Sequence, residues 1–167
     1  MKTYSSKSSV PVKIITISTI SVLLLLVISV AFIKKESGPL FGILLAFTIF
    51  SAVFYFYANS LKEVRIIDKR VILKKKLSKI EIEFSEIISI KTIQYCALPM
   101  TVGSKGVFGF IGSTMDGSIS FVKDRNQMVK LITKSNNYIL SCDNPKDFVN
   151  TILLQNYSLS LINNKTP

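Results

Sequence analysis

The sequence predicts two membrane-spanning helices joined as a hairpin, then an all-β domain of about seven antiparallel strands closed by one C-terminal α-helix. Three observations predict it. Two long charge-free apolar runs stand near the N-terminus. Short β-branched segments separated by turn residues fill the middle. After Asp143 the hydrophobic period lengthens from that of a strand to that of a helix.

The first run, Ile14 to Ile33, has 20 residues without a charge, and the second, Leu40 to Leu61, has 22. At about 1.5 Å per residue each makes a helix of roughly 30 Å, the thickness of a bilayer's hydrocarbon core. Only Lys34 to Pro39 separate them, and Gly38 and Pro39 suit the end of one helix and the start of the next. A signal peptide is the competing reading, because Lys2, Lys7 and Lys13 precede the run and Ser29-Val30-Ala31 loosely fits a cleavage site. The run is longer than a signal core, and a second follows at once, which favours the hairpin. A soluble core hairpin fits worse still: the remaining residues, roughly 105, are too few to cover two helices that are apolar all round.

Charge sets the expected orientation. Three lysines and no acid precede the first run, and eight Lys or Arg residues fall between Lys62 and Lys79. The positive-inside rule therefore predicts a multi-pass protein of the inner membrane with both termini cytoplasmic. Phe54, Tyr55, Phe56 and Tyr57 close the second run as an interfacial aromatic belt. Residues 1–13 are then a cytoplasmic segment, 14–61 the hairpin, 62–156 the β domain with its helix, and 157–167 a flexible tail.

From Lys62 the pattern is that of strands. "EVRII" and "VILKK" flank a turn at Asp68-Lys69-Arg70, "IEIEF" alternates strictly, and "IISIKTI", "SISFV", "MVKLITK" and "YILSC" follow. Asn136-Asn137 suits a tight turn between the last two. In "DNPKDFVNTILLQN", Asn144 fits an N-cap, Pro145 the first helical position and Asp147 the first turn. Phe148, Val149, Ile152 and Leu153 then share one helical face.

This order, with "FSEIISI" (84–90), "GVFGFIG" (106–112) and "DNPKDFV" (143–149), resembles bacterial pleckstrin-homology-like (PH-like) domain proteins that carry an N-terminal transmembrane hairpin. The resemblance implies a seven-stranded bent barrel closed by a helix, a fold that mostly hosts binding and scaffolding.

Five of the seven glycines lie between Gly103 and Gly117. They match neither the dinucleotide fingerprint nor the P-loop. "GSKG" matches the GxxG of a KH loop, but that loop joins two helices, and the flanks here are not helical, which leaves no nucleic-acid reading. A bent strand–loop–strand connection is expected, with Val107, Phe108, Phe110 and Ile111 as a candidate interaction loop that tucks under the domain or lies on the membrane. Lys69, Arg70, Lys74, Lys75, Lys76 and Lys79 form a candidate surface for anionic lipid headgroups, a diffuse attraction of about 1 kcal/mol per residue.

Catalysis is not expected. The chain has no histidine, and its acids after the hairpin fall in strand-edge, turn or cap positions. Cys96 and Cys142 lack metal-ligand spacing, so neither a metal nor another cofactor is expected, and both read as small apolar residues carrying free thiols in a reducing compartment. The expected function is a membrane-anchored interaction or scaffolding module that binds a membrane or cytoplasmic protein, or weakly an anionic lipid. The alternative is an accessory subunit of a larger membrane assembly acting through its hairpin, where Gly42 and Ala46 would allow close helix approach.

Overall fold

A computed structural model of the chain describes residues 1–31 and 38–163. Two apolar helices precede a β-rich domain and a C-terminal helix. Helix α1 spans Val10–Ala31 and α2 Gly38–Asn59. Their spans Val10–Val30 and Leu40–Asn59 have mean hydropathies of 2.4 and 2.1 and are long and apolar enough to cross a membrane. Only 6% and 0% of the two windows are buried by the rest of the chain, as suits lipid-facing helices better than soluble core helices. Gly42 lies near Val30 of the other helix, where an added Cβ would meet Val30 Cγ1 at 3.4 Å, an ordinary contact distance. Residues 34–37 of the connecting loop lie outside the described residues.

Among the described residues, ten strands form two sheets. In sheet one the order is β1 (Lys2–Ser5), β2 (Leu61–Ile67), β3 (Arg70–Lys75), β4 (Lys79–Glu83). In sheet two, β5 (Ile87–Ile93) is followed in space by β9 (Met128–Thr133), β10 (Asn137–Ser141), β8 (Ile119–Val122), β7 (Phe110–Thr114) and β6 (Met100–Lys105). Strand β1 was not anticipated, because it is too short and polar to announce itself, and the bent strand–loop–strand connection expected over the glycines is the paired hairpin β6–β7.

The expected closed barrel is corrected: the sheets are separate. Phe84–Glu86 makes a 3-10 turn that ends sheet one and sends β5 into sheet two. The all-antiparallel expectation is corrected as well, because β8 and β10 pair in parallel. One core nonetheless joins the sheets. Val64, Val71 and Leu73 from the first and Val129, Leu131 and Leu140 from the second are fully buried in a single cluster.

Strand β1 changes the architecture most. It pairs antiparallel with β2, Tyr4 opposite Val64, so the helical hairpin is inserted between two neighbouring strands of one sheet. The same N-terminal segment then stitches the two sheets. Asp143 N–H donates to the Ser5 carbonyl at 2.8 Å, and Ser9 N–H donates to the Lys123 carbonyl at 3.1 Å. Residues expected to be a mere cytoplasmic leader are thus part of the β domain, and cleavage after Ala31 would remove a core strand.

The predicted turn chemistry holds at Asp68 and Lys69, both with positive φ (44° and 64°), the primed geometry that suits a two-residue hairpin. Helix α3 spans Pro145–Asn163, beyond the boundary expected near Asn156, and residues 164–167 of the expected tail lie outside the described residues. It packs on β5 and β9, with Phe148 and Ile152 fully buried. Asn144 enters it with φ 58°, a left-handed conformation that asparagine tolerates.

Candidate functional site

The β domain meets the bases of the two long helices at one junction, and the glycine-rich hairpin is part of it. β6 and β7 pair with Gly103 opposite Gly112. Both have strongly positive φ (132° and 140°), and a Cβ on either would collide with the backbone of the other strand. The glycines therefore let two backbones approach closely; no phosphate cradle is needed to explain them. The hairpin tip reaches α1, where Phe108 N–H donates to Thr16 Oγ1 at 2.9 Å and Thr16 Oγ1 donates to the Val12 carbonyl at 2.7 Å. From α2, Tyr57 meets the Phe108 ring edge-on, centroids 5.5 Å apart.

The four candidate loop residues are accordingly mostly engaged inside the chain. Ile111 is buried in the core, and Phe108 packs against that core and Tyr57. Phe110 lies beneath the Arg125 guanidinium at 4.9 Å, with Tyr95 on the same cation at 4.6 Å. Val107 is half-buried.

The candidate lipid surface is split by the fold. Lys69 and Arg70 sit at the β2–β3 turn, a full strand length away from the helices. Arg70 pairs with Glu81 (3.5 Å) and Glu83 (3.2 Å). Lys74, Lys75, Lys76 and Lys79 stand at the opposite end, and their turn is bound directly to the end of α2: Lys76 N–H donates to the Ser60 carbonyl and Leu77 N–H to the Ala58 carbonyl. Within that group Lys74 pairs with Glu63 and Lys79 with Glu81. Lys75 donates to Asn59 Oδ1 at 2.9 Å and lies over the Phe121 ring, and its burial pushes its pKa down. Lys76 turns toward the Tyr57 ring at 5.6 Å, with no carboxylate paired to it among the described residues.

Beyond Lys76, two further lysines reach the junction that the sequence did not single out. Lys13 lies one turn into α1. Lys123, at the end of β8, is only 8% exposed, and burial together with the Lys76 charge pushes it down to about 8. The pattern "SFVKD" gives no hint of this, because a strand-end lysine ordinarily points into solvent.

The acids have structural surroundings. The Asp116 carboxylate is held far below its usual range by Lys130, with help from the Thr114 hydroxyl and the Ser118 backbone and side chain, and together these fix the β7–β8 turn. Among the described residues no cluster of Cys, Asp and Glu could hold a metal ion. Cys142 lies in the main core, where burial raises its thiol to about 12, with the Asp143 charge adding to the shift. Cys96 packs at the edge of a second cluster around Val122, Met128 and Ile139. Compared with known proteins, the chain matches no family model, no curated relative and no solved structure.

Proposed function

We propose that the chain is a membrane-anchored interaction module whose β domain, PH-like in its strand-and-helix order, is held against the cytoplasmic face of the inner membrane. The observation that carries the reading is the insertion of the hairpin between the paired strands β1 and β2. With both ends of the hairpin tied to one sheet, an even number of crossings returns the chain to the side it left. The excess of lysine and arginine next to both helices makes that side the cytoplasm. Such an arrangement fixes the orientation and height of the domain over the bilayer, which suits presentation of a surface better than chemistry.

The edge strand β6 supports a protein partner. Among the described residues it pairs only with β7, and Val102 on it and Met115 beyond β7 are largely exposed. Topology is tested by single cysteines in a background lacking Cys96 and Cys142. Ser37→Cys should label from outside intact cells, and Asn164→Cys only after permeabilisation. The reverse pattern would overturn the reading. A photoreactive residue at Val102 should crosslink one discrete protein, and should still do so after the hairpin is replaced by an unrelated one. Loss of the crosslink on that exchange would favour an accessory subunit acting through its hairpin.

A further inference from the structure

At the junction a cavity of about 330 Å³ opens between the first turns of α1, the end of α2, the β3–β4 turn and the end of β8. Lys13, Lys76 and Lys123 line it, together with Tyr57, Ser60 and Thr16, and no carboxylate does. None of the three lysines is ion-paired among the described residues, although the other basic residues of the β3–β4 hairpin are largely matched by Glu63, Glu81 and Glu83. Three positive charges around one cavity repel one another. A nearly buried ammonium without a counter-charge is costly, because desolvation is not returned by pairing. A folded chain that keeps this arrangement leaves room for an anion to complete it.

We propose that this junction cavity binds a phosphate group, with Lys13, Lys76 and Lys123 as its counter-charges. Three unpaired ammoniums ask for more than one negative charge or for a delocalised one, which phosphate supplies. The volume lies at the lower end of small-ligand sites, enough for a phosphate ester with its attached polar group. Thr16 and Tyr57 belong to the helices that reach the bilayer, so the cavity lies at the level of headgroups. Phospholipid is thus the nearest source, and this preference rests on the membrane-spanning reading above. Lysines act as point charges, so the cavity selects anionic phosphate without enforcing a particular headgroup stereochemistry.

The test uses the full chain in nanodiscs of phosphatidylcholine, with and without phosphatidylglycerol, and reads the unfolding midpoint. Phosphatidylglycerol should raise the midpoint of the parent chain. Lys123→Met, and the exposed pair Lys13→Gln with Lys76→Gln, should each abolish the shift or raise the half-saturating lipid fraction about tenfold or more, as expected for losing a charged hydrogen bond. Lys134→Gln, an exposed lysine beyond β9, should keep it. The exposed pair decides the matter even if Lys123→Met fails to fold. In phosphatidylcholine alone, inorganic phosphate or glycerol phosphate giving the same lysine-dependent shift would support the site with a free phosphate as its ligand. The proposal is overturned if no phosphate source shifts the midpoint, or if the shift survives the Lys13/Lys76 pair or falls equally with Lys134→Gln. Alkaline carbonate treatment of native membranes separates the two readings. A chain that washes off overturns the spanning reading and this proposal with it, whereas a chain that stays yet shows no lysine-dependent shift overturns the cavity alone.

Discussion

The Tyr4 hydroxyl donates to the Asp147 carboxylate at 2.7 Å, closing a span of 143 residues between the first strand and the first turn of the last helix. The Tyr4 ring meets Phe148 edge-on at 5.1 Å, and its hydroxyl also lies 3.1 Å from Thr151 Oγ1. Lys2 adds an exposed ion pair to the same carboxylate at 3.4 Å. The contact holds both ends of the domain together around the inserted hairpin, and each of its parts has a different expected weight.

Tyr4→Phe keeps the ring and leaves Asp147 and Thr151 without that partner. It should cost about 1–3 kcal/mol. Tyr4→Ala also empties the site against Phe148 and should cost about 3–5 kcal/mol. Lys2→Ala should lie within about 0.5 kcal/mol, as an exposed pair does. In a Cys96→Ala background, a fluorogenic thiol dye reads unfolding through the buried Cys142. For a domain near this size, each kcal/mol moves the midpoint by roughly 4–8 °C. A Tyr4→Ala chain that melts with the parent would show that β1 is not part of the domain.

The glycine hairpin makes a sharper prediction, because its two readings weight different residues. Gly103→Ala places a Cβ against the backbone of β7, and Gly109→Val puts a branched side chain at φ 129° with its Cβ 2.6 Å from the Val122 carbonyl oxygen. Each should cost at least about 1–3 kcal/mol of strain. Lys105→Ala, on an exposed strand end, should change stability by less than about 0.5 kcal/mol. Any shift of the melting midpoint by ATP or NAD should survive Lys105→Ala. A nucleotide shift that disappears with Lys105→Ala would restore the phosphate-loop reading of this segment.

What the sequence made legible was what repeats within a few residues. The two apolar runs, the Asp68-Lys69 turn, the alternation of "IEIEF" and the Phe148/Ile152 face of α3 are all local patterns, and each stands where expected. Pairing across distance was not legible. "KTYS" becomes a strand only because β2, on the far side of the hairpin, supplies its partner. The bent strand–loop–strand connection was legible, but not the limits and register of β6 and β7, because glycines carry no strand propensity, although the close approach of the two strands is what requires them. The split of the basic cluster follows from strand length: a hairpin sets its two turns at opposite ends, and the spacing of Lys69 and Lys76 along the chain does not reveal that. Lys13 and Lys123, more than a hundred residues apart, share a cavity that only the two-sheet arrangement assembles.

Helix α3 should be indispensable to the joined core. Phe148 is fully buried among residues of both sheets and beneath Tyr4. Phe148→Ala should cost about 3–5 kcal/mol, enough to unfold a marginal domain. Leu153→Ala, on the half-exposed face one residue past Ile152, should cost well under half of that. Equal losses at the two positions, measured by the same dye melt, would contradict the orientation of the helix.

The pH dependence follows from four groups whose pKa values burial shifts, with effects that oppose one another. Burial, with the Lys76 charge, pushes Lys123 down to about 8 from an ordinary value near 10.5. Between those values the unfolded chain holds a proton that the folded chain has released, so stability rises with pH, by about 1.4 kcal/mol per unit once Lys123 is fully neutral. Lys75, also lowered by burial, acts in the same direction. Cys142 works the other way. Burial and Asp143 raise its thiol to about 12 from 9.0, so above about pH 9 the unfolded chain loses a proton that the folded chain keeps, and stability falls. Tyr4, raised chiefly by burial to about 12 from 10.0, adds a second loss above about pH 10. Stability in a neutral detergent should therefore climb between roughly pH 8 and 9, flatten as Cys142 offsets Lys123, and decline beyond pH 10. Denaturant titrations followed by circular dichroism at each pH give the profile. Lys123→Met should remove most of the climb between pH 8 and 9, and Cys142→Ala should extend it toward pH 10. A parent chain whose stability only falls from pH 7 upward would show that Lys123 is solvated and charged at the junction, against the buried position described here.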